Sequence, residues 1–543
     1  MAQDELSEGL NEDDPMIVDE EMRIQVEDDS SESANDDEYM PQWEDVPQDW
    51  QPNWLGPYQL NPGPSSEFPP NIREVSQYFS LFYDTEVLNL LVEETNRYAS
   101  QFFEEHQNQA NSSYYKDWTP CDAVKIKAYL GLIIHMGLSQ YPRFEHHWST
   151  SPLYGCSLCP NIMQKKDFFL IHSFFHFSDN RTANLEDKLY KIRRLFELLS
   201  SRFCKFYVPH RELSLDERIV KYSGRLSFLQ FIRNKPNQFE IKVFVLADAP
   251  TGYVYNWKVY TGAEARENEQ RRNQNDRSQS QQALFRTIVE LTNNVVNRNH
   301  VIAFDSYYAY LNIVRYLTRR NIGCVATLDS RRRLIPIEIK KPRRTMQPQE
   351  AYFQKDQNVM TMVFKDKRFV RIISSIHGRQ LDQNNRPIAL RDYNNWARGV
   401  DLSNQLVSSY HHGHKSVKWY KILALNFLET SIANAYILYK HQNPFTAHKH
   451  LKFREALVIE LLQDYINQRI IQIQARQVER IILGQHHIGK RDQRNCAVCS
   501  TKTARITTIY YCQECNVNVC PVNCFYRLHT VLTLHSRIKS RNM

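Results

Sequence analysis

The sequence predicts a multidomain α+β protein, and three observations carry the prediction. Apolar residues recur at helical spacing up to about residue 208. A β-rich stretch with interleaved helices follows, in the order strand, strand, helix, strand, helix, strand. Six of the eleven cysteines then crowd between Cys496 and Cys524, too dense for an ordinary core.

The elements read as follows. Residues 1–70 are acidic and Pro-rich and are expected to be a disordered tail. Residues 71–238 are a helical region, with "VSQYFSLFYDTEVLNLLVEETNRYASQFF" and "AVKIKAYLGLIIHMGL" its clearest helices. Over 239–330, "EIKVFVLADAPTGYVYNWKVYTG" holds two strands joined by a turn at Pro250 and Gly252. "SQQALFRTIVELTNNVVNR" is a helix, "VIAFD" a strand, "YLNIVRYLTRRN" a helix and "IGCVATL" a strand. Residues 331–391 are basic and Pro-broken, contain the hairpin candidate "VMTMVFKDKRFVRIISSIHG", and are expected to be an insertion. Helices resume over 392–440 and 441–490, and a cysteine-rich unit fills 491–543.

Charge is unevenly placed. Residues 1–50 hold 19 acids and one base, so they carry −18 against a whole-chain +7 and leave +25 on the rest. A basic body implies a polyanionic partner, and nucleic acid is the first expectation. The acidic tail then reads as a tethered competitor for that surface or as a solubilising tail. No apolar run reads as a membrane span and no secretory signal opens the chain, so a soluble intracellular protein is expected, with thiols kept reduced.

Three acids attract notice. Asp248 ends "IKVFVLAD" and Asp305 ends "VIAFD". Side by side in parallel strands, both would leave the same sheet edge, where α/β proteins place their sites. Asp401 in "RGVDLSNQL" adds a third from a helix. Oxygen ligands of this kind suit Mg²⁺ or Mn²⁺, and two such ions can clamp the attacking and leaving oxygens of a phosphodiester. Asp305 also admits a plainer reading, since Asp favours turns. Asp216 and Glu217 in "LSLDE" read as structural ion-pair or hydrogen-bonding residues.

The cysteine-rich unit offers Cys496 and Cys499, Cys512 and Cys515, Cys520 and Cys524, His529 and His535. Four ligand pairs suffice for two tetrahedral Zn²⁺ ions, and alternating pairs suggest a cross-brace zinc finger. Cys156 and Cys159 form an isolated "CSLC" without a neighbouring pair and read as core packing. Basic runs at 331–333 and at Lys340, Lys341, Arg343 and Arg344 are expected to meet phosphates or act as a nuclear localisation signal. Lys415 and Lys418 lie near Asp401 in sequence, as do Trp396 and Trp419, which either stack on unpaired bases or belong to the core.

Taken in order, "LSLDERIVKYSGRLSFLQFIRNKP", "IKVFVLADAPTGYVYNWKVYTG", "AFDSYY", "GVDLSNQL" and the cysteine tail resemble the piggyBac-type transposase family across residues 75–535. The resemblance implies an RNase H-like (retroviral integrase-like) catalytic core interrupted by an insertion, with flanking helical DNA-binding and dimerisation segments. It implies a DDD set falling on Asp248, Asp305 and Asp401, and cut-and-paste chemistry on double-stranded DNA at element ends and TTAA targets. A nuclear homodimer without a small-molecule substrate is the corresponding expectation. Three positions depart from the family: Arg398 replaces the first of a glycine pair, Asn404 an acid, and Glu240 a glycine. A domesticated, non-cutting DNA- or chromatin-binding descendant is the alternative. A zinc-dependent ubiquitin-type ligase is suggested by the cross-brace alone.

Overall fold

The computed structural model describes residues 39–53, 56–110, 112–156, 158–222, 224–231, 239–262, 276–411, 413, 416–445, 447–482, 487–501, 504–521, 524–525 and 528. The expected disorder of residues 1–70 therefore meets the structure only from Tyr39 onward, and there it fails. Strand β1 (Glu44–Asp45) pairs with the sheet, and Val46 is buried in a core cluster. Tyr39 donates its hydroxyl to Asp356 at 3.0 Å and lies under the Arg315 guanidinium. Polar composition does not prevent ordering when the body supplies an edge strand and buried partners.

The helical region comprises α1 (Val75–Ser80), α2 (Thr85–Glu105), α3 (Ala123–Leu138), α4 (Leu158–Ile162), α5 (Lys165–Phe174) and α6 (Arg193–Lys205). Asp84 and Asp122 cap α2 and α3 by accepting the amides of Val87 and Lys125, which satisfies otherwise orphaned donors. Buried Arg202 on α6 returns to the Asp84 carboxylate at 2.7 Å, so that cap also ties two helices together.

The central sheet starts with β2 (Glu212–Lys221), β3 (Phe239–Asp248) and β4 (Val254–Val259), paired antiparallel in sequence. Helix α7 (Asp276–Thr292) leads to β5 (Val301–Phe304), and α8 (Leu311–Arg319) to β6 (Gly323–Thr327). Strand β5 lies parallel to β2 on one side and to β6 on the other. The spatial order of these five is β4-β3-β2-β5-β6.

Residues expected to form an insertion extend this same sheet. Strands β7 (Ala351–Asp356), β8 (Val359–Lys365) and β9 (Phe369–Ser374) form a meander, with β9 antiparallel to β6 and β1 closing the far edge. Buried Met360, Met362, Phe364 and Ile372 give the meander an apolar face, which packs with Ala303 and Val325 of the central strands.

Helices α9 (Ile388–Trp396) and α10 (Gly399–Ser408) lie against the sheet, followed by α11 (Trp419–Gln442) and α12 (His450–Ile482). Contrary to the sequence reading, α11 is long and apolar enough to cross a membrane, but its apolar stretch is wholly buried inside the protein. It is the central core helix. Two of its polar residues find partners within the fold: Asn434 exchanges two 2.9 Å hydrogen bonds with the Val254 backbone, and Glu429 pairs with fully buried Arg454 at 2.6 Å. At the end of the chain, β10 (Ile488–Asn495), β11 (Thr507–Cys512) and β12 (Val517–Asn518) make a separate three-stranded sheet with its own small core.

Candidate active site and metal centres

The parallel pairing of β2 and β5 fixes the site. Leu215 and Phe304 are register partners, so the next residues, Asp216 within β2 and Asp305 just past the end of β5, stand side by side. Along β2, Ser214 and Asp216 share one face because side chains alternate. On that face Ser214 donates to the Ala397 carbonyl at 2.9 Å and thereby holds the turn between α9 and α10. Gly399 makes the approach possible. A Cβ there would stand 2.9 Å from the Ala249 Cα and 2.9 Å from the Ser214 Cβ. Gly252, at φ +77, meets the same helix, where a Cβ would fall 2.9 Å from the Ser403 amide nitrogen. With the start of α10 pressed onto the sheet in this way, Asp401 in its first turn reaches Asp216 and Asp305. All three line one open cleft of about 220 Å³ with Leu215, Phe304, Tyr393, Asn394, Ala397 and Arg398.

The carboxylates are electrostatically crowded. Asp216 is raised to about 7, first by burial and then by its neighbours Glu217 and Asp305. Burial raises Asp305 as well, and the Glu217 charge adds to it. Glu217 moves the other way: burial pushes it up, but the Lys242 ammonium and hydrogen bonds with Asp216 and Tyr308 together hold it low. The plainer reading of Asp305 also holds at one oxygen, since Oδ1 accepts the Tyr307 amide at 2.8 Å. Arg332, from the first basic run, donates to the carbonyls of Ser306 and Tyr307 and covers the Tyr310 ring at 3.7 Å, fixing the loop after Asp305. Clustered carboxylates with unrelieved charge are the donor set a hard divalent cation prefers.

Asp248 is not part of this cleft. Strand β3 runs antiparallel to β2, so its C-terminal end lies beside Leu213, three residues along β2 from Asp216. Leu213 and Asp216 differ by an odd number of positions, so Asp248 also faces the other side of the sheet. There it is fully buried and accepts from Tyr207 Oη (3.0 Å), the His210 amide (2.6 Å), the His210 ring (3.0 Å) and Thr251 Oγ1 (2.5 Å). Four donors occupy roughly the whole acceptor capacity of a carboxylate. Its negative charge raises His210 in return, chiefly through their hydrogen bond. The acid the sequence reading set aside, Asp216, takes the place in the cleft. A strand end says nothing about strand direction, and the useful signal was the alternation of Ser214 and Asp216 beside a strand parallel to "VIAFD".

Asn404 points into the core and accepts from the Nε of buried Arg218 at 2.8 Å. Arg218 also donates to Ser403 and Thr430 at 2.6 Å each, and burial lowers it to about 10. Among the expected DNA contacts, Lys341, Arg343 and Arg344 are exposed and Lys340 is half-buried. Trp396 is half-buried and stacks on His377, while Trp419 packs edge-on against Phe228. Lys418 is half-buried near the Tyr98 ring, and Lys415 lies outside the described residues.

In the tail, Cys496, Cys499, Cys520 and Cys524 converge with ligand atoms within 4.8 Å of one another, a set able to hold zinc. The Cys499–Cys520 sulfur separation is 3.7 Å. Two thiolates on one tetrahedral zinc stand about 3.8 Å apart, from Zn–S bonds of about 2.3 Å. The gathered residues are the first and third pairs. Cys512 and Cys515 belong to the neighbouring β11 end, while His529 and His535 lie outside the described residues.

Comparisons with known proteins agree with this architecture. The family described as Transposase IS4 matches residues 75–436. The human PiggyBac transposable element-derived protein 2 is 23% identical over 448 residues, covering 78% of this chain and 72% of its own. Its human namesake, protein 3, is 24% identical over 500 residues, covering 86% and 78%. A cryo-EM structure titled as a piggyBac transposase synaptic complex with hairpin DNA superposes with a TM-score of 0.67 at 20% identity, over 85% of this chain and 99% of that one. The chain belongs to the Transposase IS4 family and, within it, to the piggyBac type.

Proposed function

We propose that this protein is a DDD transposase that cleaves and transfers DNA strands, with Asp216, Asp305 and Asp401 as its acids. The observation that carries the reading is the convergence of these three side chains in one cleft. The β4-β3-β2-β5-β6 order, with three antiparallel strands followed by two parallel ones, supports an RNase H-like core extended by β7–β9. The three acids would hold Mg²⁺ or Mn²⁺. Bound there, the ions would stabilise charge on the phosphodiester and lower the pKa of the attacking water. The chain's own part is positional. Ser214 and Gly399 lock α10 to β2, so Asp401 and Asp216 keep their relative places through the reaction. The Tyr307 amide holds one Asp305 oxygen and leaves the other toward the cleft. Double-stranded DNA is the substrate, with element ends and TTAA targets proposed on the family resemblance, as are a homodimer and a nuclear location. A second zinc ion on Cys512, Cys515, His529 and His535 would complete a cross-brace finger.

One observation favours the second reading, a domesticated DNA-binding protein. Arg398 lines the cleft and brings a cation to the place where metal ions would sit. The deciding experiment is nicking of a labelled element end in Mg²⁺. Wild type should nick and Asp216→Asn should not, while Asp248→Asn, if folded, should retain cleavage. Binding of the element end without nicking by wild type would select the domesticated reading.

A further inference from the structure

The helical region contains a second cluster of soft ligands, far in sequence from the cysteine tail. His135 lies in the last turn of α3, His147 in the 3₁₀ turn Phe144–Trp148, Cys156 in the loop before α4, and Cys159 in the first turn of α4. One ligand atom from each falls within 4.8 Å of all the others. We propose that His135, His147, Cys156 and Cys159 form a structural zinc site that pins the α3–α4 connection.

The distances and chemistry agree with zinc. Cys156 Sγ lies 3.6 Å from His135 Nε2. That is a long contact for a thiol hydrogen bond, but a zinc ion holding S at about 2.3 Å and N at about 2.1 Å separates them by about 3.6 Å. His147 is 1% exposed and its Nδ1 has no hydrogen-bond partner, an arrangement that ordinary packing leaves costly. The two cysteines span a C-x₂-C knuckle that opens a helix, and two imidazoles complete a Cys₂His₂ set.

The local fold gives the ion a purpose. Between Leu138 and Leu158 the described chain holds only the 3₁₀ turn, a further turn at Pro152 and Leu153, and bends, with few regular backbone hydrogen bonds of its own. Gln140 in this stretch donates to the His411 carbonyl at 2.8 Å, in the connection between α10 and α11. Zinc would therefore fix a loop that braces the segment just beyond Asp401.

The test must separate this ion from any in the tail. A full-length variant with the six tail cysteines changed to serine should still carry one zinc per chain by native mass spectrometry in excess Mg²⁺. Adding Cys156→Ser and Cys159→Ser should remove it, whereas His147→Cys in the same background should retain it as a Cys₃His site. In the intact wild-type chain, Cys156 and Cys159 should react with a thiol reagent only after chelation. A zinc-free tail variant, a zinc content unchanged by losing both cysteines, or a Cys156–Cys159 disulfide in the wild type would each overturn the proposal.

Discussion

The Nε–H of Arg218 donates to Asn404 Oδ1 at 2.8 Å, and the other two partners of this buried guanidinium, Ser403 and Thr430, are also uncharged. Among the described residues, this positive charge is thus held inside the fold by neutral dipoles. Asn404→Asp places a carboxylate at the same distance without adding atoms. Unfolding in urea should show a gain of about 1–2 kcal/mol, the scale of making a hydrogen bond charge-assisted. No gain would mean that the neutral partners already satisfy Arg218.

Asp216 and Asp248 should respond to amide substitution in opposite ways. Asp216→Asn removes a carboxylate that burial and Asp305 already disfavour, so stability without metal should hold or rise. Nicking should drop on the order of 10³-fold or more, because the three acids act as one unit. Asp248→Asn instead turns an amide toward donors that need an acceptor. A loss of about 3 kcal/mol is expected from the charged hydrogen bonds forfeited. Denaturation midpoints for the two variants, measured together, would expose a mistaken assignment if they moved alike.

Acid should destabilise the protein through its neutral buried histidines. Burial lowers His176 and His450 to about 3 and His300 to about 4. In the unfolded chain these groups protonate near pH 6.5. Between pH 6.5 and about 4 the unfolded state therefore binds more protons, and stability falls as pH falls. Asp216, raised to about 7, works in the opposite sense over that range, while the raised His210 adds its stabilising proton only above pH 6.5. Three histidines should outweigh Asp216. His176→Gln should flatten the profile obtained from urea midpoints at successive pH values, and an unchanged slope would count against the assignment.

The cysteine tail should lose its ions independently. Cys499→Ser removes a ligand from the cluster completed by Cys496, Cys520 and Cys524, and should lower the zinc content by one. Cys512→Ser should remove a different ion by the same measure. Neither change should shift the unfolding of the large core, since the tail sheet packs on its own cluster. Loss of both ions from either single change would show one joint site instead of two.

Much of the architecture was legible because periodicity reports local geometry. The β3–β4 turn, the β8–β9 hairpin, α8 and β6 all fall where their patterns place them. The candidate cleft was legible for two of its three acids. Asp305 and Asp401 were found from a strand end and a helix motif, but Asp248 was paired with them on the assumption that its strand ran parallel. Direction is a property of pairing, and no single strand records it. The same blindness hid His135 and His147 from Cys156 and Cys159: ligands spread over a helix, a turn and a knuckle show no spacing rule until the chain folds.

Strand β1 also protects the strand it pairs with. Glu44 and Asp45 occupy the hydrogen-bonding margin of β7, with Glu44 paired to Lys355 and Asp45 accepting from Tyr352 at 2.5 Å. Without them β7 would present a free row of amides and carbonyls, the template on which extended chains polymerise. A chain trimmed at Trp50, as a cautious experimenter might choose from the acidic composition, would keep its folded body and yet be prone to self-assembly. Strand β1 thus acts as a seal against the protein's own copies.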